Sequence, residues 1–158
     1  MKKKILKWGL IMLTLVIVIG GGVFLYIFFQ PHRDVQATQT DYQLESKQIV
    51  DEYLADYNSA NDKYLQEEGD SKVIEITGVV ANISEDFNKQ KVVLLKDLGE
   101  NAGVSCTFSV ETKQNAEKLK VGDRVTIKGV IRSGAGYDED MELYEDVILE
   151  KCDVVNNK

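Results

Sequence analysis

The sequence is poor in the residues on which most catalytic and metal sites depend. Its 158 residues include one histidine, His32, and two cysteines, Cys106 and Cys152, which are 46 positions apart. A catalytic triad or a Cys-His pair needs a histidine beside the nucleophile, and a structural zinc site needs about four ligands. We therefore expect no catalytic residue and no metal site, and we expect that the protein is not an enzyme.

A glycine-rich phosphate loop is also missing. The short cluster GAG at 134–136 lacks the lysine and the strand-turn-helix context of such loops, so we expect no bound cofactor. Six carboxylates follow it closely: Asp138, Glu139, Asp140, Glu142, Glu145 and Asp146. Their spacing matches no EF-hand calcium loop, and we interpret residues 133–142 as a flexible, solvated acidic loop.

Basic residues are scarce beyond the N-terminus. Without Lys2, Lys3, Lys4 and Lys7, 15 lysines and arginines remain against 26 aspartates and glutamates, a net charge of about −11. Such a surface repels phosphate backbones, whereas nucleic-acid-binding domains usually carry a basic stripe. The charge balance therefore disfavours nucleic acid as a partner.

One apolar run is long enough to cross a membrane. Residues 8–29, WGLIMLTLVIVIGGGVFLYIFF, contain no charged side chain, and as a helix they extend about 33 Å against a hydrocarbon core of about 30 Å. A cleaved signal peptide has a shorter core of about 7 to 15 residues and ends in small residues, whereas this run ends in Phe28 and Phe29. We predict a transmembrane helix at 8–29 in contact with membrane lipid.

The lysines that precede this run predict its orientation. Residues 1–7 contain four lysines, whereas only His32 and Arg33 follow the run closely. Because positive residues stay in the cytoplasm, residues 1–7 are interpreted as a cytoplasmic basic tail. We predict a single-pass protein of the cell membrane whose remaining chain lies in the periplasm or on the cell surface.

Two segments follow the predicted anchor. Residues 30–40 show no apolar periodicity and are interpreted as a tether. Residues 41–68 predict an amphipathic helical segment, because apolar side chains recur every three or four positions. These positions are Ile49, Tyr53, Tyr57, Ala60 and Tyr64. We expect the tyrosines to pack in the core, and Thr40 and Gln43 have the spacing of an N-terminal capping box.

From residue 72 to residue 155 the pattern changes to β-strands. Five apolar runs, at 73–83, 91–96, 104–110, 124–132 and 143–154, surround a short helical pattern at 112–119. This order fits a five-stranded, OB-like Greek-key barrel, in an all-β or α+β domain preceded by the amphipathic helix. Gly78 and Gly129 fall in the two strands that must bend to close such a barrel. An open α+β sandwich is the alternative.

Several of these stretches resemble the tRNA_anti-like family of bacterial OB-fold proteins. They are ADYNSANDKYL before KVIEITGVVANI, then VSCTF, LKVGDRVTIKGVI and a closing DVILEKC, and together they cover about residues 48–153. The resemblance implies an OB fold and a nucleic-acid-binding role. The acidic domain and the predicted anchor depart from that role. In the third strand, Ser105, Thr107 and Ser109 also face outward where base-stacking aromatics would be needed.

The two cysteines fall on the third and fifth strands, which are neighbours in an OB barrel. Because cysteines of a small domain outside the cytoplasm are often paired, we predict a disulfide between Cys106 and Cys152. Two buried thiols are the alternative. Cys152 is out of step with Val147 and Leu149, so it shares their face only if a bulge intervenes.

These features predict a noncatalytic binding or interaction module that is held at a membrane and whose partner is a protein or another envelope component. The alternative, a nucleic-acid-binding OB-fold protein, depends on the family resemblance alone.

Overall fold

The computed structural model describes residue 12, residues 16–24, residue 26, residues 34–65 and residues 71–155. Met12, residues 16–24 and Tyr26 are helical. The other residues of the predicted basic tail and membrane span lie outside the described residues, as do residues 30–33 of the predicted tether. Within the described ranges, no helix is long and apolar enough to cross a membrane. The chain forms two compact units, Met1–Arg33 and Asp34–Lys158.

The described part of the second unit contains eight strands and three helices. They are β1 (Tyr42–Glu45), α1 (Ser46–Ala55), α2 (Tyr57–Tyr64), β2 (Val73–Glu85), β3 (Lys91–Leu95), β4 (Val104–Phe108), α3 (Lys113–Ala116), β5 (Arg124–Ser133), β6 (Gly136–Asp138), β7 (Leu143–Glu145) and β8 (Val147–Val154).

Five of these strands close a barrel in the order β2-β3-β4-β8-β5, because β5 pairs with β2 as well as with β8. Closure depends on β2, whose residues 73–79 pair with β5 and whose residues 80–85 pair with β3. Gly78 lies just before this change of partner, where an added Cβ would stand 2.7 Å from Ser46 Oγ. The strand order, the parallel pairing of β4 with β8 and the helix α3 before β5 are those of an OB-like barrel.

The core lies inside the barrel and between the barrel and helices α1 and α2. Alternation along β4 buries Val104, Cys106 and Phe108, as predicted. Tyr53 and Tyr64 are buried as well, whereas Tyr57 is 46% exposed. Two of the three tyrosines in the helical stripe therefore pack in the core.

The prediction of one helical segment from residue 41 is wrong at its start. Residues 42–45 form β1, which runs parallel to β2 and pairs Tyr42 with Ile74. Pairing with a distant strand outweighs the local helical pattern there, since strand formation depends strongly on its tertiary context. The predicted segment also divides at Asp56, whose carboxylate accepts a hydrogen bond from Ser59 N and begins α2.

The predicted capping box does not form. Helix α1 begins after Glu45, with no side-chain cap. Thr40 Oγ1 and Gln43 Nε2 instead donate to the two carboxylate oxygens of Glu75, at 2.6 and 2.8 Å. Both side chains therefore hold the start of β1 on β2.

Residues 34–40, the described part of the predicted tether, pack on the barrel. Val35 is only 4% exposed. The Gln36 side-chain amide donates to the carbonyl of Lys151 at 2.9 Å, and Lys128 Nζ donates to the carbonyl of Thr38 at 2.6 Å. The contacts of the folded unit therefore begin before the first strand.

The third predicted strand is shorter than expected. It ends at Phe108, and Val110, which was predicted to face inward, is 78% exposed. The cause is a turn in which Thr112 N and Lys113 N both donate to the carbonyl of Ser109. The turn leads directly into α3.

Candidate functional site

A bulge in β8 brings Cys152 into the core. Cys106 pairs with Leu149 and Phe108 pairs with Cys152, so β8 has one extra residue between these pairs. Lys151, in this stretch, has a φ of 53°, a backbone conformation typical of bulges. Cys152 therefore faces inward, as Leu149 does. Because the two residues are out of step in the sequence, only a bulge allows them to share this face.

The predicted disulfide is not formed, and both cysteines are free, buried thiols. In the register of β4 and β8, Cys106 lies opposite Leu149 and Cys152 lies opposite Phe108, so the two cysteines are not directly paired across the strands.

The thiol of Cys152 is held in its protonated form. Burial first, and then a hydrogen bond with the Cys106 side chain, raises the pKa of Cys152 well above its ordinary value. An added Cβ at Gly129 would stand 2.7 Å from Cys152 Sγ, so the surroundings of this thiol are tightly packed. A buried, protonated thiol is a poor nucleophile, and we assign this pair to the core.

Metal-ligating side chains do not gather within the described ranges: no group of three or more histidine, cysteine, aspartate or glutamate residues is placed to hold an ion. In the acidic loop, Asp138 Oδ1 accepts hydrogen bonds from the backbone N–H groups of Asp140 and Met141, both at 2.9 Å. This carboxylate therefore caps a turn.

The outer face of β3, β4 and β8 carries a mixed apolar and hydroxyl surface. Leu94 pairs with Ser105, which pairs in turn with Ile148 on β8. Val92 pairs with Thr107 in the neighbouring row. Ser105 and Thr107 face outward as predicted, and OB folds bind ligands on this side of the barrel.

The predicted flexible loop is in part an ordered hairpin. Strands β6 and β7 pair Tyr137 with Tyr144, whose ring centroids are 4.8 Å apart. These rings are 50% and 40% exposed. The sequence pattern did not predict this hairpin, because strands of three residues are too short to show a clear alternation. Tyrosines at both ends of a polar turn were a signal for it.

Two grooves adjoin the hairpin. The first, which we call the tyrosine groove, has a volume of about 380 Å³ and is lined by Tyr53, Leu54, Tyr57, Gly136, Tyr137 and Glu145. The second, the serine groove, has a volume of about 330 Å³ and is lined by Ser105, Ser133, Glu145, Asp146 and Ile148. Glu145, in β7, lines both grooves, and Ser105 and Ile148 of the serine groove belong to the outer face of β4 and β8.

A second loop beside this face, residues 86–90, presents a single aromatic ring. Phe87 is fully exposed, and Lys89 lies at a φ of 61° in the tight turn that follows it. The sequence pattern did not predict a role for Phe87. The signal that could have identified it is an aromatic residue in the loop between the first two strands of an OB barrel, where ligands are held and aromatic side chains can stack on bases.

Comparison with known proteins places the chain among OB-fold proteins. No curated protein matches the sequence. A crystal structure of a lipoprotein from Klebsiella pneumoniae subsp. pneumoniae, to which nucleic-acid binding is ascribed, is similar with a TM-score of 0.53 and 20% identity, over 80% of this chain and 100% of that one. The OBody NL8, solved bound to hen egg-white lysozyme, has a TM-score of 0.37 and 20% identity, over 55% of this chain and 98% of its own.

The sequence model of the tRNA_anti-like family matches residues 1–148. This range contains both the helical N-terminal residues and the barrel as far as the start of β8. The chain belongs to the tRNA_anti-like family.

Proposed function

We propose that the protein is a membrane-anchored, noncatalytic binding module whose barrel lies outside the cytoplasm. The observation that supports this most strongly is the continuity of the outer face of β4 and β8 with the serine and tyrosine grooves. OB folds hold their ligands on the face of their second and third strands, here β3 and β4, and on the loop between their last two strands, which here contains the β6–β7 hairpin. The serine groove reaches this face through Ser105 of β4. The ligand is proposed to be a protein or another envelope component.

The anchor and its orientation are supported by the sequence. Residues 8–29 are uncharged, and four lysines precede them. This pattern is typical of a single-pass helix with a cytoplasmic N-terminus, so the helix would contact membrane lipid and the barrel would lie on the far side.

Site-specific cross-linking tests the binding face. A photoreactive amino acid is placed at Ser105, on the proposed face, or at the exposed Glu117, at the end of α3, and the full-length protein is irradiated in its native membrane. We expect a discrete cross-linked product from position 105 and none from position 117. The same products from both positions, or none from either, would contradict the proposed face.

Nucleic-acid binding is the second candidate. Phe87 is fully exposed beside Lys89 in the loop between β2 and β3, and OB folds use this loop to stack and hold nucleotides. The similar Klebsiella lipoprotein is also described as nucleic acid-binding. The acidic balance of this chain is the reason for placing this candidate second.

Retention of single-stranded RNA or DNA decides between the two candidates. At about 50 mM salt, where phosphate contacts are strong, we expect no retention by the full-length protein. Retention that falls with added salt and is lost in Phe87→Ala, but kept in the matched exposed-apolar variant Leu98→Ala, would establish the second candidate.

A further inference from the structure

We propose that the site at the β6–β7 hairpin binds an extended polypeptide segment that carries arginine side chains. This inference rests on the proposed binding function and deepens it by naming the chemistry of the ligand.

The shape of the site suits a chain better than a compact molecule. The tyrosine groove and the serine groove have volumes of about 380 and 330 Å³ and share Glu145 as a lining residue. Compact ligands are held in clefts that bury most of their surface, whereas these two are adjoining surface grooves. An extended segment can lie along both and contact the outer face of β8 through Ile148.

The charge of the site is uniformly negative. Residues 134–146 contain six carboxylates and no lysine or arginine. Arg132, which precedes them, lies 3.7 Å from Glu150 and is thereby paired. Asp146 accepts a hydrogen bond from Gly103 N at 2.7 Å, whereas the side-chain carboxylate of the exposed Glu145 has no hydrogen bond or ion pair with the described residues. This carboxylate is therefore available to a cation bound in either groove, and polyanions are repelled there.

The exposed rings favour arginine over a simple cation. Tyr57 and Tyr137 line the tyrosine groove and are about half exposed, and the Tyr144 ring packs against Tyr137 at an interplanar angle of 53°. A guanidinium group is planar, stacks on tyrosine faces and pairs with carboxylates at the same time. Tyrosine also provides a large contact area with little loss of conformational entropy, as in antibody binding sites.

Tyr53, which lines the tyrosine groove, carries a hydrogen-bond donor without an acceptor. The Tyr53 hydroxyl is buried and has no hydrogen-bond partner among the described residues. Burial raises the pKa of Tyr53 above its ordinary value, so the hydroxyl keeps its proton. An unpaired buried hydroxyl is destabilising, and a backbone carbonyl of a bound peptide is an acceptor of the kind that it lacks.

The test measures binding of labelled decapeptides to the full-length protein in neutral detergent. The probes alternate arginine with alanine, glutamine with alanine, or glutamate with alanine. We expect the arginine peptide to bind and the other two to bind at least about tenfold more weakly. Glu145→Gln should weaken binding about two- to fivefold, as for loss of one exposed ion pair, whereas the matched exposed variant Glu117→Gln should leave it unchanged.

Tyr53→Phe separates a binding role from a structural one. Removing an unpaired hydroxyl should leave the melting temperature unchanged or higher, while binding of the arginine peptide weakens about threefold or more through loss of one hydrogen bond. Equal losses in Glu145→Gln and Glu117→Gln would show attraction by net charge alone and overturn the inference, and so would unchanged binding in Tyr53→Phe.

The failure of this inference can be distinguished from failure of the proposed function. If the arginine peptide does not bind but position 105 still cross-links to a partner in the native membrane, the ligand chemistry is wrong and the binding face stands. If neither result is obtained, both proposals are wrong.

Discussion

The ring of Tyr53 lies directly against Gly134, where the chain leaves β5 for the β6–β7 hairpin. A Cβ added at Gly134 would overlap the Cδ1, Cε1 and Cζ atoms of this ring. Helix α1 therefore supports the root of the hairpin, and through it one wall of the tyrosine groove. The absence of a side chain at Gly134 is what allows this contact.

Gly134→Ala should destabilise the protein by about 1 to 3 kcal/mol, because the new methyl group overpacks the buried Tyr53 ring. Gly136→Ala is the matched control: its Cβ would meet nothing closer than Glu145 Oε2, at 3.8 Å. Denaturant unfolding of both variants measures the difference. Equal losses of stability would refute the proposed packing of Tyr53 on Gly134.

Phe108→Ala should cost about 3 to 5 kcal/mol, since it removes a fully buried ring from the barrel and leaves a cavity. Thr107→Ala, on the outer face of the same strand, should change stability by about 0.5 kcal/mol or less. Thermal unfolding of the two variants compares them. A similar effect at both positions would mean that the faces of β4 are wrongly assigned.

Gly129 and Cys152 should be energetically coupled. Gly129→Ala alone places a methyl group against Cys152 Sγ and should cost about 1 to 3 kcal/mol. Cys152→Ala removes that sulfur. The loss of stability in the double variant should therefore be smaller than the sum of the two single losses, by about 0.5 kcal/mol or more. A double-mutant cycle measured by denaturant unfolding checks this, and strict additivity would contradict the contact.

The two thiols should be alkylated only when the protein unfolds. Both are buried, and burial raises the pKa of Cys152, so little reactive thiolate forms. Mass spectrometry of protein treated with iodoacetamide should show no adduct without denaturant and two adducts with denaturant. Rapid labelling of the folded protein would contradict the core position of the pair.

Acid should weaken the junction of α1 and α2 through Glu52. Burial opposes ionisation of this group, but hydrogen bonds from Lys63 and Tyr64, both at 2.7 Å, outweigh it and hold the pKa of Glu52 below its ordinary 4.5. A lowered folded-state pKa stabilises the fold above pH 4.5, and this contribution is lost as the pH falls through the folded value.

Glu52→Gln should therefore lose about 1 kcal/mol at neutral pH and show a shallower decline of stability between about pH 5 and pH 3. Chemical unfolding at several pH values provides the comparison. The exposed variant Glu117→Gln should show the same decline of stability with falling pH as the unaltered protein. A decline that is unchanged in Glu52→Gln would exclude this group as its source.

Topology is predicted from the N-terminal lysines. A reporter that is active only in the cytoplasm, fused after Lys158, should be silent, because the positive residues hold the N-terminus inside. Replacing Lys2, Lys3, Lys4 and Lys7 by serine should restore part of its activity. An active reporter on the unaltered chain would show that the barrel faces the cytoplasm.

Much of the barrel could be predicted because its strands carry their own periodicity. The alternation at Val104, Cys106 and Phe108 identifies the inward face of β4 without knowledge of its neighbours, because successive side chains of a strand point to opposite faces. Cys152 is an odd number of positions from Leu149, so the two can face the same side only through a bulge, and the structure contains that bulge. Patterns of this kind depend only on residues that are adjacent in sequence.

The candidate site could not be predicted in the same way. The helical periodicity that includes Tyr53 places its ring in the core, but its contact with Gly134 joins residues 81 positions apart. The hairpin strands are too short to show a period, and Tyr137 and Tyr144 are in contact only because the two strands pair. Loop residues whose conformation is decided by distant packing carry little local signal.

The sequence by itself determined the five strand regions of the barrel, the inward face of β4 from Val104 to Phe108 and the family, because apolar alternation and motif spacing are local properties of the chain. Only the tertiary structure decided that residues 42–45 pair with β2, that β4 ends before Val110, and that Glu145 lines two grooves. Each of these depends on which distant strand lies alongside and in what register, and register is set by packing of the whole barrel.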